Sequence, residues 1–515
     1  MRSSRPRRIA ISASPQRLRP RRGVAVLIVL LLISMTLGLS YAAIRSQSTA
    51  LNINRNSDRR VSARQAAVTG LTMALKKMST SDWAGVDTTL TGVPAKYESF
   101  EVTYKTGDPS LSSGDPDYAD FPYRVTLWAT GYAADPNRPE SVAVYRIRAV
   151  VRLIPRALAS EPDVWSEMTR YTLYQHDRGT FEVNVPLRVE GPVRIQRKLD
   201  LAEGYSWKND AKERYLSDLQ AMRSAGHPDW RPFSGPLDLP YNRQPGGLIS
   251  LLETEMDVPT NDVDTKVAAG WRHPGPWTTY QIYPGGKVYD VPVLHQNQWN
   301  ATWEPDPQTN PLGIYYRSGP VYLYDDVSIR GTLVSAASWN GDLHIRGRNV
   351  HLQSVDLPPL EGTDVPVRLP LAILQDDMRI WYGAEGSITG LLAVSGQFEI
   401  MKDQQYDMGV TIQGEVVARD FFIRGRSDWD RDWQWWKDCY ERFDQEAGGG
   451  AQPATDYFPL WLQRNYGLDP NPRLTIKPQT TEARYHWHES GNPIYVPHSD
   501  DDGLRWDLLE WTENP

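Results

Sequence analysis

Residues 23–44 read GVAVLIVLLLISMTLGLSYAAI, 22 positions without a charge. At ~1.5 Å per residue, a helix of that length spans roughly 30 Å, the thickness of a bilayer's hydrocarbon core. A secretory signal has a shorter apolar region of about 7–15 residues. The Ala42-Ala43 pair keeps cleavage there as an alternative. On the N-terminal side stand Arg2, Arg5, Arg7, Arg8, Arg17, Arg19, Arg21 and Arg22, with no acid among them. The positive-inside rule puts that end in the cytoplasm, with Arg19, Arg21 and Arg22 setting orientation, and exports the rest. The chain is therefore expected to cross the inner membrane once, with its body periplasmic or extracellular.

Beyond the membrane a helical pattern resumes through RQAAVTGLTMALKKM. Val61, Val68, Leu71, Leu75 and Met78, spaced seven, three, four and three apart, form one expected packing seam. Lys76 and Lys77 fall in the last turn, where cations complement the helix dipole. Continuous from 24 to 78, such a helix would be a rod of roughly 80 Å. The intervening LNINRNSDRR is rich in poor helix formers and predicts a break.

The basic leader, the Arg21-Arg22-Gly23-Val24 junction, the apolar stem Val26–Leu39 and the Arg64-Gln65-Ala66-Ala67 stretch together resemble the N-terminus of type IV pilins. More specifically they resemble the PilX-type minor pilin N-terminal family and the large minor pseudopilin of type II secretion. The resemblance covers residues 18–80 and implies cleavage between Gly23 and Val24 by prepilin peptidase. It also implies partners: the lipid bilayer, and other pilin-like subunits packed along the helix. Major pilins carry Glu at the fifth position after the junction, where this chain has Ile28. That departure fits an initiating or tip subunit. A plain signal-anchor remains the alternative.

Composition bounds the body. The chain carries −7 overall, so once the eight N-terminal arginines are set aside the remainder carries −15, which argues against a nucleic-acid partner. Trp (19) and Tyr (26) far outnumber Phe (9), a bias that suits rings with one polar tip at wet surfaces. Thirty-nine Pro and 38 Gly disfavour a helix bundle. The single Cys439 excludes an intramolecular disulfide framework and a Cys-based zinc site.

After the stem, ESFEVTYKT, YRVTLWA and SVAVYRIRAVVRLIP alternate in strand fashion between turns such as TGDPSLSSGDPD. From 314 to 426, units such as VSIRGTLV, GSITGLLAV and VTIQGEVVA pair a short strand with a Gly turn, the grammar of a stacked coil. A sandwich or barrel is the alternative. The expected fold class is α+β, mainly β: a transmembrane helix continuing into an amphipathic stem, a small antiparallel sheet, then an irregular β-helix-like or sandwich body. The expected divisions are a leader (1–23), the transmembrane helix (24–44), stem and sheet (45–155), a loop-rich β elaboration with a helix near 210–224 (156–313), a solenoid-like unit (314–426), and a Trp-rich helix with an irregular tail (427–515).

No nucleophile elbow, phosphate loop, dinucleotide fingerprint or HExxH motif stands in its required context, so no enzyme, catalytic residue, metal or cofactor is expected. Asp428, Asp430 and Asp432 have half the spacing of a calcium loop, but Trp433 replaces the turn Gly, and a solvated acidic face is the plainer reading. The Ser499–Gly503 run and the His486/His488 pair are read the same way, as surface or packing groups. Asp325-Asp326 and Asp376-Asp377, as neighbours on strands, would point to opposite faces and make poor catalytic dyads. A carbohydrate-active β-helix enzyme and an anchored binding protein are the rival readings.

Overall fold

The computed structural model describes residues 22–136, 138–155, 168–176, most of 180–200, 249–252, and 278–423 apart from 337–339, 363 and 402–408. Beyond these it describes isolated positions from 435 to 446, then 464–467, 474–479, 484–485 and 504–513. Arg19, Arg21, the helix expected near 210–224, the Asp428–Asp432 series, His486, His488 and Ser499–Gly503 lie outside the described residues.

One helix, α1, runs unbroken from Arg22 to Met78. The break predicted at LNINRNSDRR does not occur. Each Asn or Ser there costs only about 0.5 kcal/mol, no Pro intervenes, and the strongly helical flanks carry the helix through.

The C-terminal third of α1 lies across a sheet made of β1 (Thr89–Ala95), β2 (Glu98–Thr106), β3 (Arg124–Asp135) and β4 (Arg138–Ile154). These strands pair antiparallel in sequence order. Alternation places Phe100, Val102, Val125, Leu127, Ile147 and Val151 in one core with the helix. The helix face they meet is Ala63, Ala67, Leu71, Ala74 and Met78, all fully buried. The expected seam is therefore rotated: Leu71 and Met78 are in it, Val68 and Leu75 flank it half-buried, and Val61 is 53% exposed. Small residues make this face because the approach is close. A Cβ on Gly131 would sit 2.0 Å from the Ala63 carbonyl oxygen.

A further strand, Arg505–Glu513, completes the sheet by pairing antiparallel with β4. The whole body between residues 155 and 504 is thus an insertion before the last strand of the head. The end of the chain, expected to be irregular, is an ordered edge strand.

The inserted body is mainly β. Two eight-stranded sheets and one seven-stranded sheet, parallel throughout, form three walls that the chain visits in rotation. The first, the core wall, contains Ile314–Arg317, Thr332–Ser335, Ala372–Leu374, Leu392–Val394, Val416–Ala418 and Leu173–Gln175. Its strands are buried on both faces. Leu392 and Val394 point into the coil, while Ala393 joins the core shared with head and stem. Two-sided burial explains the unbroken apolar runs AIL, LAV and VVA. The other two walls alternate, as in Val321-Tyr322-Leu323 and Val350-His351-Leu352-Gln353, because their outer faces meet water.

The turn from the third wall into the core wall is made by glycine. Gly331, Gly390 and Gly414 have φ of 148°, 135° and 153°, and a Cβ on Gly414 would lie 2.1 Å from the Gly390 carbonyl oxygen. The turn from the second wall to the third uses Asn300, Asp326, Asn349 and Gly383, with φ between 46° and 71°. Asn and Asp tolerate that left-handed region.

The coil is not wound in sequence order. Its last two turns come from 173–200 and 249–252; the chain then restarts at the opposite end near 293 and winds back until Leu474–Lys477 stacks on Leu187–Glu190. One coil consequently spans the boundary expected at 313.

Candidate functional site: the free half of the stem, and the buried acids of the coil

From Val24 to Asp58 every residue of α1 is exposed. Fourteen large apolar side chains from Val24 to Ile44 are about half exposed or more, Leu27 and Leu39 among them. Leaving that surface in water would cost on the order of 20 kcal/mol at 1.5–3 kcal/mol per side chain, more than the 5–15 kcal/mol that holds a folded domain together. Lipid or protein must cover it. The helix is long and apolar enough to cross a membrane by length and composition. Residues 45–58, polar apart from Ala50, Leu51 and Ile53, then set the head roughly 20 Å from the apolar span. Arg22 and Gly23 begin the helix, so the Gly23–Val24 junction lies at its very start.

Where the helix meets the head, charge fixes it. Arg59 pairs with Asp135 at 3.4 Å. Arg64, although exposed, donates to both oxygens of Glu513 at 2.6 and 3.0 Å. Those hydrogen bonds, with one from the Tyr145 hydroxyl, hold the Glu513 carboxyl down at about 2. At the C-terminal end of α1, Trp83, Tyr283 and Trp506 pack ring on ring, and Trp506 Nε1 donates to the Met78 carbonyl. Gly85 and Gly285 touch there backbone to backbone, and Val86 N donates to the Gly285 carbonyl at 2.8 Å, joining head to coil.

Two sites in the coil hold buried acids, one at the Asp376-Asp377 pair and one at Glu415, which no sequence pattern marks. Asp342, Asp376 and Asp377 offer oxygens within 4.8 Å of one another. Asp376 and Asp377 form the corner before Met378–Ile380, so the strand rule that set them on opposite faces does not apply. Arg379 reaches Asp377 at 2.6 Å and Asp342 at 2.9 Å. Burial, with Asp376 and Asp342 nearby, pushes Asp377 up to about 6.

Glu415 follows the corner Gly414 and accepts hydrogen bonds from the Tyr485 hydroxyl at 2.9 Å and from Gln479 Nε2 at 3.2 Å. It ties Gln479 and Tyr485 to the core wall. Burial pushes its carboxyl up to about 7. A raised folded-state value means the folded protein keeps this proton after the unfolded chain has lost it. The associated stability is full below about pH 4.5 and is lost as pH rises to about 7. Glu415→Gln is expected to be more stable than wild type at pH 8 by roughly 1–3 kcal/mol, with little difference at pH 4.5. Urea melts at the two pH values check this; equal destabilisation at both would show that the charge is not the cost.

The geometry defines a mainly β protein with, among the described residues, one membrane-length helix, free from Val24 to Asp58 and docked on the head over its C-terminal third. No family model matches the chain, and no curated protein matches it. Among solved structures, the competence-associated pilin ComZ from Thermus thermophilus is similar at 9% identity and a TM-score of 0.23, over 88% of this chain and 98% of that one.

Proposed function

We propose that this chain is a minor pilin-like or pseudopilin-like subunit of a type IV pilus or type II secretion-like assembly, and not an enzyme. The observation that carries the reading is the division of α1: residues 24–58 are exposed along their whole length, while residues 63–78 are built into the head. A helix so divided is an anchor and an assembly element at once, first held in the inner membrane and then packed against neighbouring stems. The N-terminus is cytoplasmic by its arginines, and the head with its coil is periplasmic or extracellular. Ile28, uncharged where main filament subunits carry an acid, favours a low-copy position at the start or tip of the assembly.

Intact-mass measurement on protein purified from its own membrane tests this. The mature chain is expected to begin at Val24, released by prepilin peptidase after Gly23. A chain beginning at Met1 would overturn the assembly role in favour of a signal-anchored binding protein, and one beginning at Ile44 would mean an ordinary secreted protein.

A further inference from the structure

The second wall of the coil presents an outer surface built in register. Its strands Asn297–Gln298, Val321–Leu323, Leu343–Ile345, Met378–Ile380 and Gln397–Ile400 pair parallel, so Gln298, Leu323, Ile345, Ile380 and Ile400 align, all buried. On the first four of these turns the next residue faces outward, Trp299, Tyr324, Arg346 and Trp381 in succession along the coil axis, and Met401 follows on the fifth. Trp299 stacks parallel on Tyr324 with centroids 3.8 Å apart. Arg346 lies over Tyr322 at 4.4 Å and over Trp381 at 4.1 Å. Tyr382, 40% exposed, continues the ridge.

Trp299 stands at the end of this wall, since Asn297–Gln298 is its terminal strand. Tyr324 covers one face of its ring, among the described residues no further coil strand covers the other, and the side chain is 53% exposed. Beside the ridge runs a row of hydrogen-bonding groups: Asp342, Asp377 and Glu399, each paired with Arg379 at 2.6–3.3 Å.

From this arrangement we propose that the outer face of the second wall binds a neutral glycan, with Trp299 and Tyr382 as stacking platforms and Arg379 and Glu399, the partly exposed members of the row, as polar partners. Three features select that ligand. Ring faces with exposed edges suit the apolar faces of pyranoses. Arg346 and Arg379 stand among Asp342, Asp377 and Glu399, so both signs of charge are interleaved on this face and neither a polycation nor a polyanion meets a surface of one sign; the acidic body further disfavours a polyanion. Strands repeat every 4.7–4.9 Å or so, comparable to the advance per sugar of an extended glycan, so successive turns meet successive residues.

The test is calorimetric titration of the full chain in detergent with cellohexaose, maltohexaose and chitohexaose, beside heparin and polylysine. One hexasaccharide is expected to bind, with affinity unchanged by about 0.5 M salt because no net charge is exchanged. Trp299→Ala and Tyr382→Ala should each weaken it at least about fivefold, while Trp511→Ala, which removes a similarly exposed ring from the head, should not. Unchanged circular dichroism will show that the variants fold. The proposal fails if none of the three sugars binds at millimolar concentration, if binding survives both substitutions, or if only the polyanion or polycation binds. None of those failures touches the anchor reading, which rests on α1.

Discussion

Replacing Gly131 by valine is expected to lift the stem off the head. The new Cβ would meet the Ala63 carbonyl oxygen at 2.0 Å and the Ala67 nitrogen at 2.5 Å, and both are backbone atoms that cannot swing aside as a side chain can. The helix must move outward, which strips Ala63, Ala67 and Leu71 from Val125, Leu127 and Ile147. A loss of about 3 kcal/mol or more follows from overpacking at a buried contact. Hydrogen exchange of the 63–74 amides reads it directly, and protection there should fall while protection of the coil strands holds. Gly114→Ala is the control, since a Cβ there meets nothing within 4 Å. Membrane insertion should survive in both, because residues 24–44 do not touch the sheet. Wild-type exchange in Gly131→Val would mean that the stem does not lie against β3.

A chain stopped after Leu504 is expected not to reach a soluble folded state. The lost strand carries Trp506 of the ring cluster with Trp83 and Tyr283, and Glu510 and Glu513, which pair with Arg148 at 3.1 Å and Arg64 at 2.6 Å. Its removal also opens the edge of β4 over Ile147–Ile154, where the strand had paired, and joins it to the stretch at Val142 and Val144 that is already exposed, a template for aggregation. Arg64→Ala alone should cost little, since its pair with Glu513 lies at the surface with the Arg64 side chain 53% exposed. Size-exclusion chromatography and limited proteolysis distinguish the outcomes. A monodisperse chain 1–504 with unaltered protease resistance would show that the head closes without its last strand.

Much of the architecture was legible. A 22-residue uncharged run behind eight arginines has few physical solutions, and strict alternation in ESFEVTYKT and SVAVYRIRAVVRLIP marks half-buried strands whatever they pack on. The stem seam was misread in one particular. Large residues such as Val61 dominate a helical pattern, whereas the buried face alternates Leu71 and Met78 with Ala63, Ala67 and Ala74, of which Ala63 and Ala67 meet Gly131 closely. RWDLLEWTE hid its role because a register shift between Leu508 and Glu510 interrupts its alternation. The Asp342–Asp377 and Glu415–Tyr485 contacts join residues 35 and 70 positions apart, which no local pattern encodes.

By itself the sequence determined what each segment must do with its own surface: which run needs lipid, which strands have one wet face, and where only Gly, Asn or Asp can turn a corner. Those are consequences of side-chain chemistry and backbone sterics, local to a few residues. Tertiary structure alone decided partnership. It set the last strand beside β4, stacked the 173–190 turn onto Leu474–Lys477, and brought Trp299 over Tyr324. Parallel strands of similar length and apolarity can pair with any equivalent neighbour, so the choice among them rests on the packing of the whole chain rather than on any one of its segments.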